Sequence, residues 1–176
     1  MAAKQFEVKA QEHSATGGTM LNTGVVVAKG DRLTIKAAED DTWSCGATAD
    51  LTTNANGLNA AVYGKMATAT KDAEFPYGSL VGSLDGGKTH FLVGTSFDAP
   101  APQAGTLWLC FWDANREDNS GSVTVSVGMV PTAMTVKVDP NTNNAGNGVP
   151  FITGVVVKKG DLLKISVPVD QKWSNN

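Results

Sequence analysis

The chain has 176 residues, 41% of them hydrophobic and 19 of them glycine, which is enough to bury the core of a loop-rich globular domain. The formal net charge is −3 and no block of basic residues occurs, so nucleic acid is not expected as a partner. Apolar runs are too short to span a membrane, and the N-terminus lacks the hydrophobic stretch of a secretory signal. We therefore expect a cytoplasmic protein, or one released without a conventional signal peptide.

The N-terminal region predicts a strand followed by a loop. Residues 6–10 alternate weakly between apolar and polar side chains, which is typical of a short strand. Residues 14–18 are small and glycine-rich, which favours a loop. His13 lies between the two segments, where we expect a surface residue rather than a ligand.

Two strand-like segments follow, joined by a Lys-Gly-Asp turn at residues 29–31. Residues 23–28 are rich in valine, and residues 32–37 alternate apolar and polar side chains. We interpret them as a strand-turn-strand hairpin. Asp31 is expected to form the turn rather than to act as a functional carboxylate.

The middle of the chain indicates loops more than regular structure. The three acids at residues 39–41 point in different directions and are expected to form a solvated loop. Residues 47–78 show no sustained period, and only a short helical turn near residues 58–66 is indicated. A long loop of this kind is where ligand specificity would reside.

A further pair of strands is predicted at residues 78–81 and 90–93, around the Asp-Gly-Gly turn at residues 85–87. His90 is expected at a sheet edge. A role as a base is not expected, because no nucleophile signature and no carboxylate at a fixed spacing accompanies it.

Residues 106–128 join an apolar strand, an acidic loop and an alternating strand. The six apolar residues at 107–112 leave no polar face, so they predict a strand buried on both sides. Residues 122–127 alternate valine with serine or threonine, which predicts a half-exposed strand. The intervening residues, 113–121, have a turn-forming composition that would gather oxygen atoms at the end of a sheet.

Asp113, Asp118 and Asn119 give this loop the hard oxygen ligands that suit calcium. Calcium takes about six to eight oxygens from carboxylates, amides and backbone carbonyls, so the loop could form half of a cage. The spacing is not that of an EF-hand. On composition alone, the alternative is a solvated hairpin loop whose Asp and Asn residues only make turns.

Cys45 and Cys110 are the two cysteines of the chain, and a disulfide framework is not indicated. One lies in a predicted loop and the other in the predicted buried strand. We expect two buried thiols, and a bond between them stays open without geometry.

Residues 113–128, DANREDNSGSVTVSVG, resemble the C-terminal end of the calcium-dependent galactose-binding bacterial lectins of the PA-IL-like family. Residues 29–35, KGDRLTI, and residues 43–46, WSCG, are similar to the first half of that family's pattern. The resemblance covers roughly residues 4–130. It implies an all-β, antiparallel jelly-roll β-sandwich (galactose-binding-like), and the short strands and frequent turns favour the same class.

The resemblance also implies a site for Ca²⁺ and sugar. Asp113, Asp118 and Asn119 would hold the ion and contact the sugar, while Cys45 and the Arg116 region would contribute backbone carbonyls. The ion would then coordinate two neighbouring sugar hydroxyls. The loop from Asp113 to Asp118 is shorter than in the family, and the family's His-Pro pair for sugar contact does not occur in the long middle loop.

Residues 24–31 recur as residues 154–161 with seven of eight positions identical. A repeat of this kind indicates duplication of a unit of about 130 residues. We therefore predict a lectin-like β-sandwich domain at residues 1–130 and a partial second repeat, its first strands only, at residues 131–176.

The partial repeat cannot complete a sandwich alone, because its valine and leucine faces would stay exposed to water. It would pack on the first domain, pair with another chain, or belong to a longer tandem protein, and we favour the last. A homo-oligomer is a reasonable expectation because several sites raise avidity.

The function that these patterns favour is a calcium-dependent carbohydrate-binding lectin for galactose or a related sugar. The alternative is a non-enzymatic structural or adhesive β-sandwich module of a larger tandem-repeat protein. An enzyme is not expected, because no nucleophile-base pair and no pair of catalytic carboxylates stands out.

Overall fold

The structure, a computed structural model, describes residues 3–71, 73–132, 136–139, 141–143, 146, 150, 153 and 165–167. The chain divides into Ala2–Thr132 and a second unit that comprises Ala133–Asn176 with Met1. The repeated segment at residues 154–161 lies outside the described residues. The partial second repeat and the domain boundary near residue 130 therefore stay predictions.

Short strands dominate the described residues, as the turn-rich sequence predicts. The strands are β1 (Lys4–Lys9), β2 (Leu21–Val27), β3 (Arg32–Ala37), β4 (Trp43–Ser44), β5 (Thr52–Thr53), β6 (Lys65–Ala67), β7 (Glu74–Pro76), β8 (Ser79–Ser83), β9 (Phe91–Leu92), β10 (Ser96–Pro100), β11 (Gly105–Trp112) and β12 (Ser120–Val130). One helical turn, α1 (Ala60–Tyr63), and two 3₁₀ turns, Ala49–Leu51 and Arg116–Asp118, complete them. Within the described part of the chain, none of the helices has the length and apolar character needed to cross a membrane.

The strands form two main antiparallel sheets. The larger sheet has six strands in the order β10-β3-β12-β4-β5, with β1 also paired to β12. The smaller sheet has four strands in the order β2-β11-β8-β9. A separate pair, β6-β7, lies outside both sheets. The long strand β12 is therefore the centre of the larger sheet.

Alternate side chains of the two sheets fill the space between them, as the period of a pleated strand requires. Val123 and Val125 of β12 share one core cluster with Leu109 of β11, and all three are fully buried. Trp43 closes this core beside Phe111, with the two rings edge to face and their centroids 4.7 Å apart. These contacts confirm the antiparallel β-sandwich.

Strand β11 is buried on both faces, as its apolar run predicts. Phe111 points into the main core, whereas Cys110 and Trp112 belong to a second cluster with Val81 and Phe75. The pair β6-β7 supplies Phe75 and Met66 to that second cluster. The smaller sheet is thus covered on its outer face as well.

Both cysteines are free and buried. Cys45 packs in the main core and Cys110 in the second cluster. The expectation of two buried thiols is confirmed, and no disulfide joins them.

Other local predictions agree with the structure. In β12 the buried positions Val123, Val125 and Val127 alternate with more exposed residues. The strand β9 pairs with β8 at the edge of the smaller sheet, and His90 immediately precedes β9 with its ring centroid 5.0 Å from that of Trp112. Glu39 and Asp40 are exposed, as expected of a solvated loop, whereas the half-buried Asp41 accepts a hydrogen bond from the Thr124 N–H at 2.6 Å.

The predicted hairpin at residues 23–37 is wrong. β2 pairs with β11 in the smaller sheet, whereas β3 pairs with β10 and β12 in the larger one. The turn between them is therefore an arch that crosses from one sheet to the other. The alternating pattern fixes which face of each strand is buried but not which strand it pairs with.

Asp31 stabilises this arch, as expected of a turn residue. Its carboxylate accepts hydrogen bonds from the backbone N–H of Ala28 at 2.8 Å and of Thr132 at 2.9 Å. Only 7% of Asp31 is exposed, so both bonds replace water that the carboxylate has lost.

The prediction that His13 lies on the surface is also wrong, because His13 is only 7% exposed. Its Nδ1 accepts a hydrogen bond from the Lys9 N–H at 2.9 Å, and its carbonyl accepts one from the Phe111 N–H at 2.9 Å. Burial lowers the pKa of His13. The loop after β1 packs against the end of β11. Local composition does not predict this long-range contact.

Replacing Gly105 by alanine should lower the free energy of unfolding by about 1–3 kcal/mol, because overpacking a strand forces the backbone to shift. A Cβ at this position would lie 1.8 Å from the carbonyl oxygen of Leu84, which cannot move without its peptide. Gly128→Ala is the matched control, since its Cβ meets only the Thr34 hydroxyl, a side-chain atom that can rotate away. Urea unfolding measures both, and equal stability of the two variants would contradict the prediction.

Candidate functional site

The acidic loop lies between β11 and β12 at one end of the sandwich. Asp113 follows β11 directly, and its Oδ2 accepts a hydrogen bond from the Asn115 N–H at 3.1 Å. Asn115 in turn accepts one from the Glu117 N–H at 3.3 Å, at the start of the 3₁₀ turn Arg116–Asp118. Asp113 and Asn115 therefore do form turns, as the solvated-loop alternative predicts. A solvated loop would also expose its side chains to water, whereas Asp113 and Asn119 are buried.

The loop after β1 holds this acidic loop in place. The Arg116 guanidinium donates a hydrogen bond to the Gly17 carbonyl, and the Gln11 amide donates one to the Glu117 carbonyl at 3.4 Å. A Cβ at Gly17 would lie 3.1 Å from Cδ of Arg116, so a larger residue would press on the Arg116 side chain. Sequence reasoning missed these contacts, and the glycine-rich composition of residues 14–18 was the only local signal for them.

Asp113 is a buried carboxylate with 6% of the residue exposed. Burial raises its pKa, and hydrogen bonds from the backbone N–H groups of Asn115 and Ala114 offset part of that shift. The nearby Asn119 amide lowers the pKa and the Asp118 carboxylate raises it, so both side chains lie close to Asp113. A cation beside Asp113 would remove the cost of burying its charge.

Asn119 is 4% exposed, and neither its Oδ1 nor its Nδ2 forms a hydrogen bond of normal geometry. The amide is close enough to lower the pKa of Asp113, as a hydrogen-bond donor does, but its geometry toward the carboxylate falls outside that of a normal hydrogen bond. Buried polar atoms without partners are rare and costly, typically about 1–3 kcal/mol each. An unpaired amide beside a buried carboxylate suggests a position prepared for a ligand.

The segment around Cys45 borders the same loop. β4 pairs with the start of β12, which sets Ser44 opposite Ser120. Burial, followed by the charges of Asp113 and Asp118, raises the pKa of the Cys45 thiol to about 12. A Cβ at Gly46 would lie 3.6 Å from Oδ2 of Asp118, so the backbone after Cys45 runs beside that carboxylate.

The structure thus gathers four of the five predicted ligand residues at one end of the sandwich, namely Asp113, Asp118, Asn119 and Cys45. Arg116 lies in the same loop, but its carbonyl accepts a hydrogen bond from the Asn119 N–H at 3.2 Å and retains one lone pair. Within the described ranges, no three His, Cys, Asp or Glu side chains form a metal-binding group. A metal here would need the Asn119 amide and backbone carbonyls as well as carboxylates.

That donor set suits Ca²⁺ better than a transition metal. Two carboxylates, an amide and backbone carbonyls are all hard oxygen donors, which calcium accepts in flexible arrangements. The unpaired Oδ1 of Asn119 and the buried charge of Asp113 are the two observations that fit such an ion. The Cys45 thiol does not enter the donor set, because its raised pKa keeps it protonated at neutral pH.

We expect neither thiol to react with Ellman's reagent at pH 8 in the folded protein. Burial raises the pKa of Cys110 to about 12, as burial and the two carboxylates do for Cys45, so the thiolate fraction is very small. Both thiols should react at once in guanidinium chloride. Rapid labelling of one thiol under native conditions would contradict the packing described for it.

Comparison with solved structures identifies a similar fold. The structure resembles the N-terminal domain of EclA, described as a PllA-like lectin, with a TM-score of 0.54 and 24% sequence identity over 73% of this chain and 98% of that one. No family model matches the chain, and no curated protein matches it. The chain therefore has the β-sandwich fold of a lectin domain.

Proposed function

We propose that the protein is a calcium-dependent carbohydrate-binding lectin, with galactose or a related sugar as its ligand. The observation that carries the proposal is Asn119, whose two amide atoms are buried beside Asp113 without partners. The shared fold with a lectin domain supports the same function class. The proposal describes a binding protein rather than an enzyme.

Asp113, Asp118 and Asn119 would hold calcium through side-chain oxygens, and Cys45 and Arg116 would add backbone carbonyls. Bound calcium would supply coordination positions for two neighbouring sugar hydroxyls. The chain's own contribution is to hold these oxygens together in a loop that is braced by Gln11 and Arg116. Such bracing reduces the conformational entropy lost when a ligand binds.

The first test measures retention of the protein on galactose-agarose, once in the presence of calcium and once in excess chelator. The second is a calorimetric titration of the protein with calcium alone. Wild-type protein should be retained in calcium and released by the chelator. Asn119→Ala should weaken calcium binding by at least about tenfold, because a buried ligand is lost. Asn22→Ala is the control, since Asn22 is an exposed asparagine on β2 of the other sheet.

Calcium binding without retention on galactose or on an array of other sugars would favour the structural or adhesive module. Failure of wild-type protein to bind calcium would overturn the proposed site. Retention that persists in the chelator would show that sugar binding does not depend on the ion.

A further inference from the structure

The turn at the end of β1 is closed by a histidine side chain. The His13 N–H donates a hydrogen bond to the Lys9 carbonyl at 2.9 Å, and the Lys9 N–H donates one to His13 Nδ1, also at 2.9 Å. A neutral imidazole has one nitrogen that donates and one that accepts, so His13 is neutral here and carries its proton on Nε2. Protonation would place a hydrogen on Nδ1 as well, and two donors would then face each other. The turn is therefore compatible with only one charge state of His13.

Burial and the surrounding charges act on this ring in opposite directions. Burial is the largest cause of the lowered pKa of His13, and the Lys9 ammonium lowers it further. The carboxylates of Glu12 and Glu7 raise the pKa but do not overcome burial. His13 Nε2 lies 3.8 Å from Glu12 Oε1, too far for a hydrogen bond, and Glu12 already binds Lys9 Nζ at 3.1 Å. An imidazolium therefore costs more in this turn than it does in water.

The loop that follows this turn holds the end of β11, from which the candidate site continues. The His13 carbonyl accepts a hydrogen bond from the Phe111 N–H at 2.9 Å, and the Phe111 carbonyl accepts one from the Ala15 N–H at 2.8 Å. Phe111 lies two residues before Asp113. The same loop also forms the two hydrogen bonds to the acidic loop that are described above. A change in the turn at His13 would therefore reach the candidate calcium ligands through these bonds.

We propose that His13 is an acid switch, whose protonation opens the turn at Lys9, loosens the loop after β1 and so weakens calcium binding by the acidic loop. The effect on calcium rests on the proposed function, whereas the loosening of the loop does not. Because the folded protein lowers the pKa of His13, the stabilising effect of this turn is complete above the ordinary value of 6.5. It is lost as pH falls from that value towards the folded pKa.

Urea unfolding in chelator tests the loosening without calcium. His13→Asn keeps an acceptor for the Lys9 N–H but has no imidazole to protonate. Between pH 7.5 and pH 5.5, the folding equilibrium constant of wild-type protein should fall about fivefold more than that of His13→Asn, the equivalent of one lost hydrogen bond. His90→Asn replaces the other histidine of the chain and should lose as much stability in acid as wild type. Equal losses in wild type and His13→Asn would overturn the switch.

NMR of wild-type protein gives a measurement that needs no variant. At pH 7.5 the ring nitrogen signals of His13 should show the proton on Nε2. On acidification, the backbone amide signals of Lys9 and Phe111 should shift with the same midpoint as the ring, because both amides donate to His13. A ring that stays neutral down to pH 4.5, or amide signals that do not follow the ring, would overturn the switch.

Calorimetric titration with calcium at the same two pH values tests the coupling to the candidate site. Wild type and His13→Asn should bind calcium equally at pH 7.5. At pH 5.5 wild type should have lost about fivefold more affinity than His13→Asn, because protonation of the ligand carboxylates affects both proteins alike. Equal losses would overturn the coupling. If wild-type protein does not bind calcium at pH 7.5, the coupling falls with the proposed function, while urea unfolding still decides whether His13 loosens the loop.

Discussion

Replacing Asp113 by asparagine should abolish calcium-dependent retention on sugar resin and, at the same time, raise the melting temperature of the calcium-free protein. The carboxylate is buried, and burial raises its pKa, so its charge is costly to the folded state when no cation is present. Asparagine has nearly the same shape and can still accept the hydrogen bond from Asn115. It lacks the charge that calcium requires, so we expect calcium affinity to fall by more than about 100-fold.

The stability effect of this substitution has a defined pH dependence. A carboxyl whose folded pKa is raised binds its proton more tightly when folded than when unfolded, so ionisation of Asp113 lowers stability as pH rises. The loss begins near the ordinary value of 3.8 and is complete above the raised folded pKa. The advantage of Asp113→Asn in calcium-free buffer should therefore be largest at neutral pH and disappear below about pH 4.

Asp98→Asn is the control for Asp113→Asn, because Asp98 is an exposed carboxylate that pairs with Arg32. It should leave calcium binding and sugar retention unchanged. Melting curves of both variants, recorded with calcium and with chelator between pH 4 and pH 7.5, measure the effect. A calcium-free Asp113→Asn protein that is less stable than wild type at neutral pH would contradict this account of the site.

Phe111→Ala should lower the free energy of unfolding by about 3–5 kcal/mol, the usual cost of truncating a buried aromatic residue. Phe111 is fully buried, and its ring meets that of Trp43 edge to face. Trp43 also donates a hydrogen bond from its indole nitrogen to the Gly78 carbonyl at 2.8 Å. Loss of the ring leaves a cavity that touches both sheets, which is why a large effect is expected.

Urea unfolding followed by tryptophan fluorescence measures the change in Phe111→Ala. Val26→Ala is the comparison, because Val26 is 66% exposed and its truncation should alter stability by no more than about 0.5 kcal/mol. Similar losses in the two variants would mean that Phe111 is not part of the core described above.

Local patterns predict burial well in this protein but not pairing. The apolar run of β11 and the alternation of β12 each specify which side chains leave water, because face and period follow from the pleat itself. The hairpin predicted at residues 23–37 fails for the opposite reason. Each of its strands fits a half-buried position equally well in either sheet, and the choice depends on β11 and β12, which lie far along the chain.

The residues of the candidate site likewise divide into those that local sequence predicts and those that depend on long-range contacts. Asp113, Asp118 and Asn119 could be predicted together because they lie in one loop. The buried position of His13 and the contact of Arg116 with Gly17 could not, because they join segments about 100 residues apart.

The central position of β12 has a consequence for biosynthesis. β1, β3 and β4 all depend on this strand for hydrogen bonds, yet it comes after them in the chain. While the ribosome is still adding the residues before Ser120, the nascent chain carries the early strands of the larger sheet with open edges. The larger sheet cannot be completed until residues 120–130 have left the ribosome. In that interval, chaperone binding and aggregation compete with folding.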